Sequence, residues 1–112
     1  MANDTLSLTF GALADPTRRA LLAQLRAGQS SVNDLAKPFN MTLPAISKHL
    51  KVLERAGLIT RAKTAQWRLC TLNAKPMQEV AGYVMEYKEY WEASFDRLDA
   101  YLRELQDQPE TE

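Results

Sequence analysis

The sequence predicts a mainly α fold with one β-hairpin, in the order α-α-α-α-β-β-α. Three observations predict it. Apolar residues recur at helical spacing between cap residues through about residue 56. Two runs rich in β-formers, Leu58–Lys63 and Trp67–Leu72, flank the short link Thr64-Ala65-Gln66. From Val80 to Leu105 apolar residues then step by three or four without interruption.

The first helix starts at Asp4-Thr5 and shows an apolar stripe of Leu6, Phe10 and Leu13. Asp15-Pro16 opens the second. The aspartate can accept from free backbone N–H groups, and the proline's fixed φ suits the first helical position. Leu21, Leu22 and Leu25 form its inner face, and Gly28 ends it. Ser30 or Ser31 caps a third, short helix that buries Val32, Leu35 and Ala36 and stops at Pro38. After the turn Phe39-Asn40-Met41, Thr42 caps a fourth helix with Pro44 in its first turn and Gly57 at its end. The third and fourth helices thus form a helix, turn, helix unit followed by the hairpin.

The last helix begins near Asn73-Ala74-Lys75-Pro76 and carries Val80, Val84, Tyr87, Trp91, Phe95, Leu98, Leu102 and Leu105 on one stripe. Some thirty residues at helical rise make about 45 Å, more than so small a domain can cover. The stripe therefore needs another surface, with Trp91, Phe95 and Leu98 as its anchors. Residues 1–105 are expected to form one domain, and 106–112 a polar tail.

With 46% hydrophobic and 25% charged residues among 112, the composition is that of a globular protein. No apolar run approaches a membrane span, and no secretory leader is visible. The single cysteine, Cys70, rules out an internal disulfide, so the expected compartment is the cytoplasm. Zero net charge conceals an asymmetry. Residues 42–68 carry six cations against Glu54 alone, a net +5, whereas 76–112 carry ten carboxylates against three cations, a net −7. A basic centre beside an acidic segment suits one surface that meets phosphate and another that does not, although charge alone equally describes a solvated surface.

On the fourth helix Ala45, Ile46, His49, Leu50 and Leu53 point toward the core. Thr42, Leu43, Pro44, Ser47, Lys48, Lys51 and Arg55 point away. Hydroxyls and cations on an exposed helical face suit the major groove, where short polar side chains reach base edges and Lys or Arg reach phosphates.

The runs "ADPTRRALLAQL", "SVNDLAKPFNMTLPAISKHLKVLERAGLI" and "RAKTAQWRLCTLN" resemble the ArsR/SmtB family of bacterial winged helix-turn-helix repressors, and the resemblance covers about residues 5–105. It implies a homodimer on double-stranded DNA, with the fourth helix in the major groove and the hairpin, or wing, on the flanking backbone or minor groove. The groove-facing group would be Thr42, Pro44, Ser47 and Lys48, with His49 at the DNA-facing edge. Lys51, Arg55, Lys63 and Arg68 would meet phosphate. The first and last helices would build the dimer interface from Leu6, Phe10, Tyr87, Trp91, Phe95, Leu98 and Leu102. Isologous pairing sets two recognition helices about 34–36 Å apart and so predicts a pseudo-palindromic operator.

Two features depart from the family. The wing turn Lys63-Thr64-Ala65-Gln66 lacks the usual glycine, which leaves Lys63 and Arg68 as its DNA contacts. Metal-sensing members carry cysteine pairs on the third helix, or His with Asp or Glu on the last. Here the third helix reads Ser31-Val32-Asn33-Asp34-Leu35-Ala36, and the last has no histidine. One His and one Cys on separate elements fall short of a metal site, so no metal or other cofactor is expected. With a single histidine and no Gly-rich phosphate loop, no catalytic set can be placed, and the chain is not expected to be an enzyme. Two alternatives stay open: a winged module that docks a protein partner, and a regulator gated by a small organic effector between the dimer helices, walled by Tyr83, Tyr87, Tyr90 and Trp91.

Overall fold

The computed structural model describes residues 4–64 and 67–107. The backbone divides into two compact units, one ending at Val80 and one beginning at Ala81.

The first unit holds α1 (Thr5–Leu13), α2 (Pro16–Leu25), β1 (Ser30–Ser31), α3 (Val32–Ala36), α4 (Leu43–Arg55), β2 (Ile59–Thr64), β3 (Trp67–Leu72) and the start of α5 (Lys75–Met85). Each of its first four helices opens on a side-chain cap, which satisfies a backbone donor the helix itself leaves unpaired. Asp4 accepts from the Ser7 amide at 2.6 Å, Asp15 from Arg18 at 2.9 Å, Ser31 from Asp34 at 3.1 Å and Thr42 from Ala45 at 3.2 Å. At the end of α4, Gly57 takes φ +79°. There the Leu58 amide donates to the Leu53 carbonyl and the Gly57 amide to Glu54, both at 2.9 Å. This double bond pattern closes the helix and turns the chain into the hairpin.

The hairpin strands pair antiparallel from Ile59 opposite Leu72 to Thr64 opposite Trp67. Ala65 and Gln66, which belong to the wing turn, lie outside the described residues. A third strand joins this sheet unannounced by the sequence: Ser30 and Ser31 pair with Cys70 and Leu69, giving the order β1-β3-β2. Two residues show no alternation, so only the fold reveals the strand.

The core gathers Leu21, Leu22 and Leu25 of α2, Leu35 of α3, Ile46, Leu50 and Leu53 of α4, and Leu58, Ile59 and Cys70 of the hairpin region. Helix α1 buries Thr9 and Ala12, and the Thr9 hydroxyl donates back to the Thr5 carbonyl at 2.9 Å. Phe10, on its stripe, is turned outward and Leu6 is half-buried.

The expected single last helix is two helices, α5 and α6 (Lys88–Asp107). Between them the Glu86, Tyr87 and Tyr90 amides bond to carbonyls three residues back, at 3.0 to 3.2 Å, so the ladder tightens and then restarts. Gly82 and the bulky run Tyr83-Val84 weaken helical preference just before this point. The spacing of apolar residues survives the interruption, which is why periodicity alone did not reveal it. In the second unit, α6 has no buried residue; Trp91 is half-buried, and Phe95, Leu98, Tyr101, Leu102 and Leu105 are exposed.

Candidate nucleic-acid interface

Helix α4 divides its residues sharply between two faces. Ile46, Leu50 and Leu53 are fully buried, while Thr42, Leu43, Pro44, Lys48, Lys51 and Arg55 are exposed and Ser47 is half-buried at the boundary. Arg55 stands in the last turn, where a cation favours the helix's negative end. None of Lys48, Lys51 and Arg55 pairs with a carboxylate among the described residues.

His49 is placed differently from the groove-facing group. Its Nδ1 lies 3.8 Å from Asp15 Oδ2 and 3.4 Å from an Arg18 nitrogen, and the side chain is 21% exposed. One residue beyond Lys48, it has turned toward the start of α2, because successive helical residues are about 100° apart.

Beside α4 the hairpin adds a second charged surface. Lys63 and Arg68 stand directly opposite each other on β2 and β3, two like charges whose mutual repulsion an anion between them would relieve. Arg61 is a tie rather than a free cation: its Nε meets Glu54 of α4 at 3.5 Å, joining helix to hairpin. Between the start of α3, the first half of α4 and the hairpin runs an open cavity of about 440 Å³, lined by Asn33, Leu43, Ser47, Arg61, Trp67 and Arg68, among others. The fold thus brings Ser47 and Arg68 to one groove, and Lys63 lines an adjoining one of about 260 Å³.

A family model described as a helix-turn-helix domain matches residues 13–62. The transcriptional repressor SdpR of Bacillus subtilis is 33% identical over 78 residues, covering 70% of this chain and 87% of the repressor. A crystal structure of an ArsR family transcriptional regulator superposes with a TM-score of 0.74 at 43% identity, over 80% of this chain and 98% of that one. This chain belongs to the ArsR/SmtB family of winged helix-turn-helix regulators. Another relative, the HTH-type transcriptional regulator Rv2034 of Mycobacterium tuberculosis, is 48% identical over 48 residues, which span 45% of its own length.

As an ArsR/SmtB member the protein is a DNA-binding transcriptional regulator, and α4 is the second helix of its helix-turn-helix unit. Among the described residues no group of three or more His, Cys, Asp or Glu is placed to hold a metal ion. Cys70 is buried in the core, where desolvation pushes its thiol pKa up, and His49 is engaged at Asp15 and Arg18. No described helix is long and apolar enough to cross a membrane.

Sequence reasoning missed Asn33 and Trp67 as walls of the main groove. Trp67 was visible as the first residue of a strand, but its closeness to Leu43 and Ser47 depends on how the hairpin folds back. From the sequence Arg61 reads only as charge, since its pairing with Glu54 joins residues on different elements.

Proposed function

We propose that the protein is a homodimeric, sequence-specific repressor that occludes a promoter by binding a pseudo-palindromic operator in the cytoplasm. Residues 1–105 act as one DNA-binding and dimerisation domain. The observation that carries this reading is the outward face of α4, whose hydroxyls and cations are, among the described residues, claimed neither by the core nor by carboxylates and are continued by Lys63 and Arg68 on the hairpin. Thr42, Pro44, Ser47 and Lys48 enter the major groove, and Lys51, Arg55, Lys63 and Arg68 neutralise phosphates. His49 supports this face from behind.

The dimer reading is supported by the apolar stripe of α6, where Phe95 is 63% exposed and Leu98 52%. Surface of that kind, repeated over a helix about 30 Å long, favours burial against a second copy. Tyr87, Trp91 and Leu102 extend the stripe, and Leu6 and Phe10 of α1 add to the interface. The Tyr83 and Tyr87 rings meet edge to face at 5.7 Å, and Tyr90 stands 6.2 Å from Tyr87. With Trp91 they are where a small organic effector would lie.

The test is fluorescence anisotropy on the DNA upstream of the protein's own gene, against a scrambled duplex, at several salt concentrations. Tighter binding to the promoter, weakening steeply with salt, supports an operator-reading regulator, and the slope counts phosphate contacts. Absence of binding to either duplex at low salt would favour a module that docks a protein partner.

A further inference from the structure

Arg18 belongs to the first turn of α2, yet its side chain leaves that helix in two directions. Its Nε donates to the Ala12 carbonyl at 2.8 Å and its Nη2 to the Gly11 carbonyl at 3.0 Å, both in the last turn of α1. Its Nη1 lies 3.4 Å from His49 Nδ1, on α4. The neighbouring Arg19 donates to the Leu13 carbonyl at 2.7 Å. A helix leaves its last carbonyls without partners of its own, and cations favour that end, so capping accounts for the bonds to α1. It does not account for His49.

In the neutral ring with its proton on Nε2, His49 Nδ1 accepts from Arg18. The guanidinium then bridges α1, which carries Leu6 and Phe10, and α4, which carries Ser47 and Lys48 immediately before His49. Burial of Ile46, Leu50 and Leu53 keeps α4 in the core, but apolar packing is non-directional. Hydrogen bonds with preferred angles resist rotation of one helix against the other. A planar guanidinium with five donors can meet acceptors on two helices at once, and an ammonium on the same stem is a poor substitute.

We propose that Arg18 is a positioning residue for operator binding: it holds α4 at a fixed angle to α1 and thereby sets the separation of the two recognition helices in the dimer. This rests on the dimeric repressor reading above. Adjacent half-sites must present the same bases one helical turn apart, so a small rotation of α4 spoils both contacts together.

The experiment compares wild type with Arg18→Met, Arg18→Lys and His49→Phe on duplexes with the native half-site separation and with one base pair inserted or deleted. Arg18→Met keeps the aliphatic stem and removes every donor, and His49→Phe keeps the ring and removes the acceptor. Each is expected to bind the native operator about tenfold more weakly, with most of the preference for native spacing lost and dimerisation by sedimentation unchanged. Arg18→Lys should recover only part. The double variant should be no weaker than Arg18→Met, because both changes cut one link.

Native spacing preference retained in His49→Phe, or in a folded Arg18→Met, overturns the proposal. So does equal weakening at every spacing accompanied by loss of the dimer, which would mark a purely structural role. If Arg18→Met fails to fold, His49→Phe decides alone. If wild type itself does not distinguish the operator from scrambled DNA, the repressor reading fails and this proposal with it; a spacing-selective wild type with unaffected variants defeats only the role of Arg18.

Discussion

Asp15 shows how one side chain serves both architecture and site. It caps α2 through the Arg18 amide and faces His49. The bond from that amide holds its carboxyl below the ordinary value of 3.8, with smaller contributions from His49 and Arg18. A depressed folded pKa means a stabilisation present above the unfolded value and lost as pH falls through the folded one. Asp15→Asn still offers a capping oxygen but no charge. The pH profile of its stability, measured by urea unfolding, should therefore be flatter than that of wild type as pH falls below the ordinary carboxylate value of 3.8, with the two converging at the acid end. Lys48 makes a complementary case. It is exposed and has no carboxylate partner among the described residues, so Lys48→Ala should leave the melting temperature unchanged, weaken operator binding and reduce the salt slope by about one. Unchanged operator affinity would remove α4 as the recognition helix.

At the scale of the element, α4 is built to be held from one side only. Its three fully buried residues anchor it, and its ends are fixed by the Thr42 cap and the Gly57 turn. Leu50→Ala would leave a cavity and cost about 2–5 kcal/mol. The same substitution should lower DNA affinity only as far as it unfolds the protein, which chemical denaturation and anisotropy on one sample can separate. The caps of α1, α2, α3 and α4 were legible because each depends on a residue next to its own helix. The break between α5 and α6 was not, since three- and four-residue steps continue through Glu86-Tyr87 although the hydrogen bonds do not. Strand β1 escaped for a related reason: Ser30 and Ser31 become a strand only because Cys70 and Leu69 arrive beside them.

For the whole molecule, the net +5 of residues 42–68 and the net −7 of residues 76–112 separate a basic centre from an acidic segment, so in the proposed dimer DNA and partner copy meet different parts of the chain. Lys63 and Arg68 concentrate the first; the exposed apolar stripe of α6 lies within the second. Phe95→Glu places a charge in that stripe, where pairing would bury it. Sedimentation should then report a monomer, and operator affinity should fall toward that of scrambled DNA, because one half-site alone supplies only half of the contacts. A variant that remains dimeric would exclude Phe95 from the interface. Folding of the first unit, whose core contains none of these residues, should be unaffected.

The sequence by itself determined the starts of α1 to α4, the glycine that ends α4, the hairpin pairing and the two faces of α4. Each is settled by residues a few positions apart, through caps, backbone conformation and periodicity. Only the tertiary structure decided that Ser47, Trp67 and Arg68 share a groove, that Arg61 is spent on Glu54, and that His49 meets Asp15 and Arg18. Those contacts join residues distant along the chain, and their geometry follows from how the core packs the elements together, which no local spacing encodes.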